Sequence, residues 1–408
     1  MTSIRLFCAR MATLLLLTIG SAQVFAQNNL PYLGQDPPGL IAQRFPPDSL
    51  LAGGNKWWHG SPVFSPDGLE MFWTEYIHYT STSENAVLFT TRVSNNSWLP
   101  VQHPTFADSV YFENSPVMSV TGDTLYFVSL RTTGTFFRVT RISGGWSDPV
   151  ALQVPIPSGY FMGLQMAVTN HGDIYFELSA IGNNPSDLYV SWLVGGVYQQ
   201  PEKLGNDINT DYNEWCPFVD PEERYLIFSS DRPGMIGQQF DLYISFKESD
   251  GSWLQPVNMG YAINATGAYF PSVTLDRQYL FFNTVKPGDW GYNAYWISAA
   301  VIDSLRLTVG IHPGKNIDKE MVRPSNQPNP FSRFTEIIFE LNSSASVQFE
   351  VYNVAGIMVH TSERECVVVG GKNRFTFDAT GLKPGFYHYI IRTDTGSPMG
   401  GTMLVVPL

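Results

Sequence analysis

Cysteine is nearly absent from this chain, with 3 residues in 408. Cys8 precedes the first apolar run, so it is not placed as a lipid acceptor. The other two, Cys216 and Cys366, fall in different expected domains. A small disulfide-stapled scaffold is excluded, and two unpaired, mostly buried thiols are expected. Charge is also sparse, at 15% of residues, with 36 acids against 24 bases. A basic face for phosphate is lacking, which argues against nucleic acid as a partner. Long hydrophobic runs are lacking too. The best is Met11 to Ile19, too short to span a bilayer, and no later segment suits a transmembrane helix. Arg5 and Arg10 before this run, and Val24-Phe25-Ala26 after it, make residues 1–26 a secretory signal peptide. Its loss leaves 22 − 36 = −14 charges. The chain has no Gly-x-Ser-x-Gly elbow, no His-Glu-x-x-His helix and no Gly-rich phosphate loop. No cofactor is expected.

What is present is aromatic and rich in turns. Phe, Trp and Tyr make up 14% of residues, with 35 Gly and 28 Pro, a mix suited to short strands and tight turns. A motif of the form Ser-Pro-x-hydrophobic-Ser-x-x-Gly recurs at Pro62, Pro116, Met166, Pro217 and Pro271, in steps of 54, 50, 51 and 54. An aromatic strand follows each copy, as in Met71-Phe72-Trp73 and Leu226-Ile227-Phe228. A third strand comes next, then an element with an aromatic and a nearby Pro, such as Trp98 with Pro100 or Trp253 with Pro256. Four strands per repeat at this period indicate propeller blades. The fifth copy lacks its last element, and the extended stretch Ile41 to Leu51 is expected to complete it and close the ring.

Near residue 310 the composition changes. Period-2 alternation in Thr335 to Leu341, Val347 to Tyr352, Arg374 to Phe377 and Tyr387 to Ile391 indicates a small immunoglobulin-like sandwich. The expected fold is all-β, a five-bladed propeller (six-bladed as the alternative) followed by that sandwich. The expected divisions are a signal peptide at 1–26, an irregular segment at 27–39, the propeller at 40–308, a linker at 309–325 and a C-terminal domain at 326–408.

Two resemblances follow from these residues. The copy Phe64-Ser65-Pro66-Asp67-Gly68, with Ser229-Ser230-Asp231 and Asp241-Leu242-Tyr243 in the fourth repeat, resembles the TolB-type, WD-like propeller repeat. That family is specific for a fold and says little of function. The C-terminal part is similar to the sorting domain of the type IX secretion system of Bacteroidota. The matching residues are Asn329-Pro330-Phe331, Tyr352-Asn353 with Gly356, Gly381-Leu382 with Gly385, and Tyr387. This resemblance implies the secretion machinery as a partner and the cell surface or medium as the destination. The chain departs from the pattern at its end, where Val405-Val406-Pro407-Leu408 carries no basic residue.

Side chains flanking each repeat Pro and each aromatic strand are expected near the channel mouth: Trp58, His59, Glu75, Glu113, Arg131, Glu214, Trp215, Arg232, Tyr269 and Lys286. Acids, Arg and aromatic faces in such a ring suit a glycan, peptide or protein ligand. The competing reading is turn stabilisation and salt bridging between blades. Asp207, Asn209 and Asp211 alternate like Ca²⁺ ligands, but Tyr212 stands where a Gly is needed, and the stretch also reads as a connector turn. No metal is expected. The leading expectation is an exported, non-catalytic binding or interaction protein. The rival is a secreted hydrolase or lyase acting on polysaccharide or peptide from scattered residues at the mouth.

Overall fold

The computed structural model describes residues 31–45, 56–80, 83–94, 97–131, 135–182, 185–285, 292–309, 324–341, 345–353, 358–363, 365–367, 372–393 and 399–407. Residues 1–26, expected to be a signal peptide, Lys286, Gly356 and residues 310–323 of the expected linker lie outside the described residues.

The alternating aromatic segments form antiparallel sheets, one per repeat. The second blade shows the pattern: Glu113–Met118, Thr124–Ser129 and Phe136–Ile142 pair in order, and Val150–Ala151 lies outermost. Five such sheets follow one another among the described residues. The last consists of Tyr269–Val273, Tyr279–Val285 and Tyr292–Ser298. Its outer strand is Gln43–Arg44, paired with Trp296 and Tyr295. The N-terminal segment therefore closes the ring, as its extended character suggested. Closure leaves no open sheet edge at this seam.

Apolar clusters fill every seam between consecutive sheets. Phe72 meets Phe127 in the first seam and Val128 meets Phe176 in the second. Leu188 meets Phe228 in the third, and Ile244 meets Phe282 in the fourth. In the closing seam, Phe45 and Tyr32 pack with Phe64, Phe281 and Trp296. Each fully buried side chain of this size contributes about 1.5–3 kcal/mol, so the seams hold the ring together.

The repeat motif is a turn device. Its Ser, Thr or Asp side chain accepts a backbone N–H from the start of the next strand: Glu70 to Ser65 (2.9 Å), Thr124 to Ser119 (3.1 Å), Asp173 to Thr169 (3.1 Å), Arg224 to Asp220 (3.3 Å) and Tyr279 to Thr274 (3.1 Å). The Gly position is left-handed in every copy. Gly68, Gly122 and Gly172 have φ of 70°, 72° and 88°, while Glu223 and Arg277 hold 55° and 61° despite their side chains. The degenerate copies thus make the same turn, with local strain where Gly is lost.

One sequence expectation needs correction. The Trp-bearing elements are not the outer strands themselves. Trp146 closes a hairpin on the third strand, and the outer strand follows the Pro, as at Val150–Ala151, Glu202–Lys203 and Val257–Asn258. Pro breaks the chain between the two because it cannot donate to the ladder. The stretch through Asp303 and Arg306 is the helix Ala300–Val309. Val301, Ile302 and Leu305 on it are buried against the fourth and fifth blades.

The C-terminal domain is a two-sheet sandwich. One sheet holds Ser325–Gln327, Phe334–Phe339 and Asn373–Asp378. The other holds Met358–Thr361, Ala345–Asn353, Gly385–Thr393 and Met399–Val405. Phe349, Phe375 and Tyr389 lie in the core between them. Leu404 of the last strand belongs instead to the cluster of the propeller helix, with Val406 and Leu40 packed on it. The two cores touch rather than standing fully apart.

Candidate binding mouth of the channel

The repeat prolines Pro62, Pro116, Pro217 and Pro271 line a central channel together with Met166 and Val168. Its open volume is ≈ 50 Å³, room for a few waters. The mouth lies where the inner strands begin. There the strands of blades two to five break register, between Asn114 and Val117, Met162 and Met166, Trp215 and Phe218, and Tyr269 and Ser272. Ser115, Cys216 and Phe270 take left-handed φ of 52°, 50° and 50° within these bulges. A bulge bends its strand and re-aims the flanking side chains, here around the rim.

The charged rim residues singled out from sequence are largely turned inward. Glu113 is buried and accepts from the Arg131 guanidinium, from Asp108 N (3.0 Å) and from Ser129 Oγ (3.3 Å). Glu214 repeats the arrangement, accepting from Arg232 (3.0 Å), Thr210 N (3.0 Å) and Ser230 Oγ (3.1 Å). Each guanidinium also lies over rings of its own blade, Arg131 over Phe127 and Phe137 and Arg232 over Phe228 and Tyr243. Burial pushes both carboxyls above their ordinary range, while the Arg partners and hydrogen bonds pull them back. These pairs tie the first strand to the second within one blade, not one blade to the next. Glu75 is likewise buried and accepts from Trp73 Nε1 at 3.1 Å. Trp58 is buried and stacks on Trp73.

Of the aromatic candidates Trp215 alone is exposed, and it leads into a band of mostly buried rings across blades. Trp215, 36% exposed, stacks on Phe240 at 4.5 Å, and Phe240 meets Tyr269 at 5.5 Å. Tyr269 donates to Gln239 Oε1 (2.9 Å) and touches Phe270. Phe270 meets His59, which also contacts Tyr76 and Phe112. Burial pushes His59 below its ordinary value, so its ring is held neutral. Tyr111, Tyr160, Phe161 and Tyr212 are exposed on the loops and strand ends of the same rim.

Asn209 of the acidic alternation is buried in a structural clamp. It accepts from Leu188 N (2.7 Å) and donates to Leu188 O (3.0 Å) and Leu204 O (2.8 Å). Asn264 does the same to Leu242 in the next blade. Asp207 and Asp211 are exposed. No group of three ligating side chains occurs among the described residues. Of the two cysteines left after signal cleavage, Cys216 is free and buried, and the side chain of Cys366 is outside the described set.

In the tail the motif residues converge. Asn329 Oδ1 accepts from Leu404 N (2.8 Å), Phe331 N donates to Leu404 O and Val406 N to Phe331 O. The first motif is thus zipped to the closing strand. Tyr352 donates to Glu350 (2.7 Å), and Asn353 pairs with Tyr387, whose hydroxyl donates to Lys383 O (2.8 Å). Gly381, with φ 87°, makes the turn after which Leu382 packs on the core. Residues 327–400 match the secretion system C-terminal sorting domain. The tail is an export address. It marks the protein for the type IX machinery and for the cell surface or medium.

Among curated proteins none matches the chain. Solved structures that resemble it include a Mycobacterium tuberculosis puromycin-hydrolyzing peptidase, at TM-score 0.32 and 12% identity over 71% of this chain and 35% of that one. An oligogalacturonate lyase in complex with manganese gives TM-score 0.35 and 9% identity over 60% and 66%. An engineered family-43 glycoside hydrolase gives 0.38 and 11% over 90% and 94%. The chain spans about a third of the peptidase. At these scores the likeness carries no inference about activity.

Sequence reasoning missed Glu177 and Phe161, both at this mouth. The turn of the third repeat is one residue shorter, since Thr169 N bonds Asp173 O where Ser119 N bonds Thr124 O. Counting from that shift places Glu177 level with Thr74, Val128, Ser229 and Asn283, a signal available in the alignment of the repeats.

Proposed function

We propose that the protein is an exported, non-catalytic binding propeller that takes a glycan or peptide on the aromatic rim of its channel mouth. The observation that carries this is the division of labour at the rim. Glu113, Arg131, Glu214 and Arg232 are engaged with one another, while Trp215 and Phe161 present ring surface to solvent. Aromatic faces stack on sugar rings and peptide groups at low entropy cost, the usual anchors of a binding surface. We read the repeats as TolB-type because all five copies share one turn chemistry, a reading that bears on the fold and not on the ligand. A hydrolase or lyase needs titratable groups converging on one reacting atom; the paired Glu–Arg arrangement supports binding instead. The test is a glycan and peptide array on the mature protein and on Trp215→Ala. Loss of the bound class in the variant supports the rim. Turnover of any arrayed substrate, abolished by a rim carboxyl substitution, would replace binding with catalysis.

A further inference from the structure

Besides Glu75, which accepts from Trp73 Nε1 at 3.1 Å, three buried mouth carboxyls can be compared directly, Glu113, Glu214 and Glu177. Two of them, Glu113 and Glu214, are each closed by an arginine of the same blade. The third, Glu177, is not. It is 7% exposed, and its Oε2 has no hydrogen-bond partner among the described residues. The backbone N–H groups of Glu177 and Cys216 support its carboxyl from the seam between the third and fourth blades. Its titratable neighbour is the Cys216 thiol, itself pushed up by burial and by Glu177. An unsatisfied buried carboxyl oxygen is costly, so a site that retains one calls for a donor from elsewhere.

The backbone around Glu177 is shaped to hold it there. Met162 pairs with Leu178 and Met166 with Phe176, so residues 163–165 all bulge opposite Glu177. A Cβ on Gly163 would lie 1.9 Å from Glu177 Oε1, so only Gly leaves the carboxyl its place. Phe161 pairs with Ser179, two residues on from Glu177, so it shares the sheet face of Glu177 one pleat nearer to the rim. It is 64% exposed. A carboxyl floor below an exposed aromatic ring repeats what Arg131 and Arg232 occupy in their own blades, a carboxyl group and ring faces around one guanidinium.

We propose that the seam at Glu177 is a subsite for a lysine or arginine side chain of a polypeptide ligand, the cation taking the place that arginine fills in the second and fourth blades. This rests on the mouth being the binding surface and names the chemistry of its ligand. The mature charge of −14 favours approach of a basic partner. Since burial pushes Glu177 up to about 8, cation binding strengthens as pH rises through that value and the carboxyl ionises.

The experiment is calorimetry on the mature full chain with capped pentapeptides carrying central Arg, Lys or citrulline among glycines, at pH 6 and pH 9. The expected result is at least tenfold tighter binding of Arg and Lys than of citrulline at pH 9, with most of the difference lost at pH 6. Glu177→Gln and Gly163→Ala should both remove the preference, and Phe161→Ala should weaken it severalfold. Should either variant fold poorly, NMR titration of the wild-type Glu177 carboxyl remains, and its pKa should fall when the Arg peptide is added and not with citrulline. Equal binding of Arg and citrulline peptides, an unmoved pKa, or a preference kept in Glu177→Gln overturns the inference. A chitosan oligomer that shows the Glu177 dependence while the peptides do not bind also overturns it. If neutral glycans bind wild type and Glu177→Gln alike, the cation subsite fails while the rim stands. If Trp215→Ala leaves that binding intact, the rim fails.

Discussion

The Arg232 guanidinium donates to Glu214 Oε1 at 3.0 Å, inside the fourth blade and away from solvent. It also donates to Ile208 O at 2.6 Å, so one side chain joins the connector, the first strand and the second. Replacing Arg232 by Ala leaves a buried carboxyl without its cation. We expect a loss of about 3–5 kcal/mol in urea unfolding, the usual cost of breaking a buried pair from one side. Arg232→Met with Glu214→Gln should recover part of this. A loss in the single variant no larger than that of an exposed ion pair would show that the pair does not hold the blade.

Phe228 is fully buried in the seam of the third and fourth blades. Truncation to Ala should cost about 3–5 kcal/mol. Glu222, half exposed and paired with Arg277 at 3.0 Å, should change stability by less than about 0.5 kcal/mol when made Ala. Equal shifts of the urea midpoint would mean that the seams are not the source of stability.

Glu177 sets a pH dependence. Burial raises it from 4.5 to about 8 in the folded chain. Between those values the folded state binds more protons than the unfolded one, so stability falls as pH rises, by up to ~1.4 kcal/mol per pH unit. Below 4.5 both states are protonated, and above 8 the full penalty is present. Glu177→Gln should flatten this part of the profile and be more stable than wild type at pH 9. A wild-type profile that rises from pH 5 to 8 and is unchanged by the substitution would contradict the buried carboxyl.

Deleting residues 326–408 removes the export address, so the propeller should accumulate in the periplasm of a host carrying the type IX system. The structure adds a second expectation. Leu404 packs on the helix that carries Val301 and Leu305, so the truncated protein should bind ANS more strongly and melt a few degrees lower. Wild-type amounts in the medium would show that the tail is dispensable, and an unchanged melting point that its contact with the propeller is weak.

Much of the architecture was legible because repeats announce themselves. A Ser, Thr or Asp at each turn, a left-handed position three residues on and an aromatic strand behind it recur by local chemistry, whatever lies elsewhere in the chain. The missing outer strand of the fifth repeat and the extended character of Ile41 to Leu51 were enough to read closure at Gln43–Arg44. The sorting motifs were equally local, set by order and spacing. The candidate site was less legible. Glu113 and Arg131, or Glu214 and Arg232, look like rim ligands when read along the chain. They become internal clasps only when two strands pair and bring residues 18 apart together. Asn209 looked like an oxygen donor until its place beside Leu188 gave both ends of its amide to backbone.

Sequence by itself determined the blade chemistry, the export address and the poverty of charge, because each depends on neighbours a few residues away. Only the tertiary structure decided which polar groups are satisfied. The three-residue bulge opposite Glu177, the seam that hides it and the lack of an arginine there come from packing between blades distant in sequence. The packing of Leu404 on the propeller helix is of the same kind. Burial and partnership are properties of the assembled ring, and no local pattern in the chain encodes them.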